Sequence, residues 1–184
     1  MNKSIMITVL LAITLLSGCS NNKSINNEQT NTQSQLKEQE DSIDKSNMDE
    51  VISEYIITHT KYKPTTKQFE AHKIYGMNKQ ENKVEVYLYS ALIGYSFVDD
   101  NFKAEAGGNT AILIELLKEN GKYKVIKFKQ ALDDDSVKEL FPKEYAEKAL
   151  NEQHTDLYES IKKQAESWLE MKGKTEKVVD FSGN

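Results

Sequence analysis

Catalysis in a chain of 184 residues would have to start from a small set of reactive side chains: one cysteine, Cys19, and three histidines, His59, His72 and His154. A serine or cysteine nucleophile needs a base beside it, and no Gly-x-Ser-x-Gly elbow is present to expose a serine. The histidines are too scattered to pair as local metal ligands, and Glu70 with His72 would need a remote third partner to hold zinc. Asp133-Asp134-Asp135 lacks the alternating ligands and central glycine of a calcium loop and reads as a helix cap. Gly173-Lys174-Thr175 copies the end of a phosphate loop, but Trp168 stands where that loop requires a glycine. Glu85, Asp99, Asp100, Glu105 and Glu115 could supply paired carboxylates for glycoside chemistry only if the fold brought two of them to the right separation. The residues therefore lead to no catalytic site, no metal site and no cofactor motif. A ligand or partner face is the better candidate, on the aromatic row Tyr87, Tyr89, Tyr95 and Phe97, which equally suits a core.

Composition narrows the partners. The chain carries 24 basic residues against 29 acidic ones, every basic residue is lysine, and the net charge is −5. The forked guanidinium that grips phosphate is missing, as is the basic face of a nucleic-acid binder, so nucleic acid is excluded as an expected partner. A lone cysteine excludes an internal disulfide framework.

The position of Cys19 matters more than its number. Lys3 precedes an apolar run from Ile5 to Leu16, and Leu16-Ser17-Gly18-Cys19 follows, the layout of a secretory signal. The run is too short for a stable membrane crossing. Leu16-Ser17-Gly18-Cys19 resembles the lipobox of bacterial lipoproteins. That resemblance implies a diacylglyceryl thioether on the Cys19 thiol, cleavage between Gly18 and Cys19, and a chain held on the outer face of the cell membrane by two or more acyl groups such as palmitate. The expected localisation is extracytoplasmic, with the membrane as first partner through Cys19. A lysine-, asparagine- and isoleucine-rich chain without arginine points to an AT-rich, Gram-positive source. Removing residues 1–18 takes away Lys3 alone among charged side chains, so the mature chain stays acidic and a polybasic lipid patch is not expected.

Residues 19–45 are polar, with Ile25, Leu36 and Ile43 as their only sizeable apolar side chains, and read as a disordered tether. A single domain is expected over residues 46–170, with 171–184 as a loose tail. Ser46-Asn47-Met48-Asp49 resembles a helix start, and Met48, Val51, Ile52, Tyr55, Ile56 and His59 recur at helical spacing up to the Lys63-Pro64 break.

Lys83 to Val98 alternates, with Tyr87, Tyr89, Ile93, Tyr95 and Phe97 on one face and Val84, Val86, Leu88 and Leu92 on the other, so both faces need cover. So long a strand predicts a bend or bulge near Gly94. Asn120-Gly121 marks a two-residue hairpin turn joining Thr110–Lys118 to Tyr123–Phe128, with Gly107-Gly108-Asn109 closing a loop before it. Beyond Asp135, Pro142 suits a first helical turn. A stripe of Leu157, Tyr158, Ile161, Ala165, Trp168 and Leu169 predicts a last helix ending near Gly173. The expected class is α+β: an N-terminal helix on a curved antiparallel sheet with one long bent strand, followed by C-terminal helices. Val86, Leu88, Ile112, Ile114, Val125, Phe128 and Trp168 are the expected core.

This order resembles the cystatin-like and nuclear-transport-factor-like folds. Phe69-Glu70-Ala71-His72-Lys73-Ile74-Tyr75-Gly76, Val84-Glu85-Val86-Tyr87, Gly121-Lys122-Tyr123-Lys124-Val125 and Phe141-Pro142 are similar to the extracellular end of penicillin-sensing antirepressor peptidases and to small firmicute lipoproteins, over residues 66–143. No His-Glu-x-x-His motif accompanies them, so the peptidase activity is not implied. The resemblance implies an extracytoplasmic sensing or accessory module. The function expected is thus a non-catalytic module binding a small surface ligand or a membrane-protein partner. A small envelope-acting hydrolase is the alternative, and about 125 folded residues are few for a two-lobed solute receptor.

Overall fold

The structure is a computed structural model that describes residues 28–181, with side-chain environments from Asp44 onward. The expected signal peptide 1–18, its cleavage at Gly18, the lipidation of Cys19, the first part of the tether and the last three residues of the tail lie outside the described residues. Among those described, no helix is long and apolar enough to cross a membrane. Among the described residues the fold is α+β, a curled, mainly antiparallel sheet with four helices.

Helix α1 runs from Glu28 to His59. It begins well before the start expected at Ser46, so the part of the expected disordered tether from Glu28 to Lys45 is helical. The reason is cooperativity: once Met48, Ile52 and Ile56 are packed, each earlier residue of a Glu-, Gln- and Lys-rich segment adds a hydrogen bond without a new nucleation cost. Asp44, inside the segment read as tether, accepts hydrogen bonds from Lys118 Nζ at 2.5 Å and Tyr123 Oη at 2.8 Å. The compact unit that carries the sheet begins at Glu40.

Strands β1 (Lys67–Gln80), β2 (Lys83–Val98), β3 (Asn101–Glu119) and β4 (Lys122–Gln130) lie side by side in chain order, each antiparallel to the next. The turns that join them need left-handed backbone. At Asn120 and Gly121 φ is +51° and +75°, as a two-residue hairpin turn requires. At Asp99 and Asp100 it is +48° and +60°, a conformation that aspartate tolerates better than most side chains. Between Gly94 and Tyr95 the β2–β3 register shifts by a residue.

Gly107 and Gly108 do not close a loop. They lie within β3, opposite Ile93 and Leu92 of β2, in the longest strand of the sheet. Close approach explains why glycine stands there. A Cβ on Gly107 would sit 2.5 Å from the Leu92 carbonyl oxygen, and one on Gly108 2.6 Å from Tyr62 Oη.

The pleat separates two cores. Val84, Val86, Leu88 and Leu92 of β2, with Ile112, Ile114 and Leu116 of β3, meet Met48, Ile52 and Ile56 of α1. Full burial of Ile52 and Ile56 is worth about 2 kcal/mol for each side chain. On the other face, Tyr87, Ala91, Ile93 and Tyr95 are covered by α2 (Asp134–Leu140), α3 (Lys143–Asn151) and α4 (Thr155–Met171). Of the expected core, Val86, Leu88, Ile112 and Ile114 are buried, while Val125, Phe128 and Trp168 are half-buried and pack against the two cores.

Local caps delimit the helices. Asp133 Oδ1 accepts from the Ser136 backbone N–H at 2.8 Å, so the acidic triplet begins α2 as a capping box. Pro142 is the N-cap of α3, and Gly173, at φ +64°, follows the end of α4. The expected loose tail contains a short strand, β5 (Lys177–Val179), parallel to the start of β3. Val178 packs against the Phe102 cluster, and Tyr95 Oη donates to Asp180 at 2.9 Å. These contacts order a segment whose composition alone offers little.

Candidate functional site

The aromatic row of β2 does not form one surface. Tyr95 is fully buried against Phe69 and Phe102, and Tyr87 is buried between Phe141 and Tyr145. Both are core, because α3 and α4 settle on that face of the sheet. Phe97, 38% exposed, sits at the far end beside Phe102 with Lys174 Nζ over its ring. Tyr89 borders a cleft.

That cleft, with a volume of about 230 Å³, opens where two chain junctions meet the sheet. Tyr89 of β2 and Asn109, Thr110 and Ala111 of β3 form one wall. The turn between β4 and α2 and the first residue of α2 form another, with Leu132, Asp133 and Asp134. The junction of α3 and α4 closes it with Ala149, Glu152 and His154. A floor of Ala111, Ala131, Val137 and Ala149 is apolar.

Its polar side chains form a connected network. The His154 ring stacks on Tyr89, centroids 3.7 Å apart and planes 6° from parallel. Nε2 of His154 donates to the Ala149 carbonyl at 2.9 Å, and its backbone takes the left-handed conformation, φ +52°, at the N-cap of α4. Tyr75 Oη donates to Glu152 Oε2 at 2.7 Å and lies 3.3 Å from His154 Nδ1. Lys73 completes the group by pairing with Glu152. Burial, then the neighbouring Glu152 carboxylate, push the Tyr75 hydroxyl far above its ordinary value. The hydrogen bond from Lys73, with that from Tyr75, holds Glu152 below the usual carboxylate range. Tyr89 Oη donates to Asn109 Oδ1 at 3.0 Å, and Asn109 Nδ2 donates to Tyr158 Oη. Burial is the main cause that raises Tyr89, with Tyr158 and Asp134 adding to it.

A second polar cluster lies between α1 and β1. Glu70 is buried and accepts from Ser90 Oγ and Ser53 Oγ, both at 2.6 Å. His72 Nδ1 lies 3.2 Å from Glu70 Oε2, and His72 Nε2 lies 3.7 Å from Asp49 Oδ1. Burial opposes a charge on His72, but the hydrogen bond and charge of Glu70, with Asp49 beyond, outweigh it and raise the imidazole above its ordinary value. Both serines face the carboxylate, so neither hydroxyl is paired with the imidazole. Asp49 of α1 is the further acidic neighbour of His72, brought there by the packing of α1 on the sheet. Among the described residues, no group of three His, Cys, Asp or Glu side chains has the arrangement to hold a metal ion.

Of the five candidate carboxylates, Glu85 and Glu115 come opposite each other on β2 and β3. Glu115 is bound there by Lys83 and Lys127, and Glu85 by Tyr87. Asp99 and Asp100 lie in the opposite hairpin, and Glu105 pairs with Lys63. His59 stacks on Tyr55 of the same helix, at 3.7 Å.

Sequence reasoning missed His154, Glu152 and Asn109 as neighbours of Tyr89. Nothing local marks them, because they meet only when α3 and α4 fold back over the sheet. No known protein family, no curated protein and no solved structure matches the chain.

Proposed function

We propose that this chain is a lipid-anchored extracytoplasmic lipoprotein whose folded part is a non-catalytic binding module, and that the cleft beside Tyr89 is where it binds. The reading gives the domain a cystatin-like fold, with β2 as its long bent strand. The packing of α1 on the Val86 and Leu88 face and the register shift beside Gly94 support that assignment. The anchor rests on Leu16-Ser17-Gly18-Cys19. With two or more acyl chains on Cys19, the domain stays at the membrane and meets ligands or membrane proteins there.

The observation that carries the binding reading is the cleft itself: a concavity with an apolar floor, an aromatic wall and a few convergent polar groups, held by three separate parts of the chain. The hydrolase alternative needs an activated nucleophile. Ser53 and Ser90, the serines near His72, both donate to Glu70 instead.

Two measurements test the proposal. Detergent phase partitioning of the wild-type chain and Cys19→Ala should move the protein from the detergent to the aqueous phase and abolish fatty-acid labelling; labelling elsewhere on the chain would sink the anchor. A photo-crosslinking side chain at Leu132, on the cleft rim, should give an adduct in intact cells that is missing with the same side chain at Ile126 on β4. Equal adducts at both positions, or adducts at Ile126 alone, would remove the cleft from the proposal.

A further inference from the structure

The geometry points to the class of ligand: the cleft is built for a small organic cation, an ammonium group carried on a compact apolar body. This rests on the reading that the cleft beside Tyr89 is the binding site. A volume of about 230 Å³ falls below the roughly 300 Å³ at which drug-sized pockets begin, so the occupant is small. Its body meets Ala111, Ala131, Val137 and Ala149 on the floor and the stacked rings of Tyr89 and His154 on the wall, surfaces suited to alkyl groups.

The hydrogen-bonding inventory sets the sign of the ligand. Each donor side chain that lines the cleft already makes a bond within the protein. The Tyr89 hydroxyl is given to Asn109, the Asn109 amide to Tyr158, the Thr110 hydroxyl to the Ala131 carbonyl at 2.8 Å, and His154 Nε2 to Ala149. What remains toward the cleft accepts. Asp134 makes no side-chain hydrogen bond or ion pair among the described residues, and Asp133 caps α2 through Oδ1, leaving Oδ2 uncommitted. Glu152 also borders the cavity, but Lys73 and Tyr75 already engage its two oxygens. The charge toward the cleft therefore rests on Asp134 and Asp133, and no lysine lines the cavity. A sugar needs donors as well as acceptors, and an anion needs donors alone; a positively charged group offering only donors matches this set. The cavity makes the site, and the carboxylates select the charge. At the rim, Leu132 stands 94% exposed, a large apolar side chain placed to lie over the ligand's alkyl groups.

The test is a titration of the isotope-labelled full-length chain, in mild detergent, with choline, putrescine, glucose and inorganic phosphate as separate probes. Choline or putrescine should shift the backbone amides of Asn109, Ala111, Leu132 and Asp134 saturably. Asp134→Asn should weaken that binding about ten-fold, the loss of one charge-assisted contact, with the melting temperature little changed. Leu132→Ser, fully tolerated by so exposed a position, should weaken it less. If glucose or phosphate shifts these amides and the cations do not, the ligand class is wrong while the cleft stands as a site. If no probe moves them, the inference falls, and the crosslinking at Leu132 decides the cleft reading by itself. Unchanged cation affinity in Asp134→Asn would also overturn the inference, since the carboxylate would then not select the charge.

Discussion

The imidazole of His154 stacks on the phenol of Tyr89 at 3.7 Å, and this one contact ties the α3–α4 junction to the centre of the sheet. His154 is buried, and it also holds the Ala149 carbonyl at the end of α3. His154→Ala is expected to destabilise the domain by about 2 kcal/mol, from the lost stack and the buried carbonyl left unpaired. Tyr89→Phe keeps the stack and loses the bond to Asn109, and should cost about 1 kcal/mol. Denaturant unfolding of both variants checks the order; equal losses would show that the ring contact contributes little.

The pair formed by His72 and Glu70 makes stability depend on pH. The folded-state value of His72 is raised above the ordinary 6.5, so the stability its charge contributes is fully present below about pH 6.5. It is lost as pH rises through the raised value. The melting-temperature difference between wild type and His72→Gln should therefore be largest near pH 6 and shrink on the alkaline side. A difference that is constant, or that grows with pH, would mean that His72 is neutral between Glu70 and Asp49.

Gly76 and Tyr145 form a close fit between β1 and α3. A Cβ on Gly76 would lie 2.1 Å from the Tyr145 ring, at a point where the β1–β2 register also shifts. Gly76→Val is expected to cost about 2 kcal/mol through overpacking. Tyr145→Ala in the same chain should return part of that loss, read as a positive coupling in a double-mutant cycle. Additive losses would place the cost in the strand instead.

Features decided within a few residues were legible from the sequence. Asn120-Gly121 turns because those two residues accept positive φ, and the acidic triplet caps α2 because Asp133 and Ser136 reach each other across one turn. The alternation from Lys83 to Val98 placed a strand there and assigned its two faces, since the pleat has a period of two whatever covers it. The order of helical spacing, strand alternation and a second helical stripe led to the α+β class in the same way. Features that depend on distant partners were not legible. Gly107 and Gly108 look like a loop until Leu92 and Tyr62 are seen pressing against them, and the polar run before Ser46 looks like a tether until a helix is already packed beyond it. Lys177–Val179 becomes a strand only because β3 offers an edge at Asn101–Lys103. The aromatic row of β2 was ambiguous between core and binding face for the same reason. Tertiary packing decided it residue by residue, burying Tyr87 and Tyr95 under helices and leaving Tyr89 at a cleft whose other walls come from Asn109, Asp134 and His154. Side-chain period and turn chemistry are short-range properties of the chain, whereas what lies across a sheet face from a given tyrosine is set by where the helices dock.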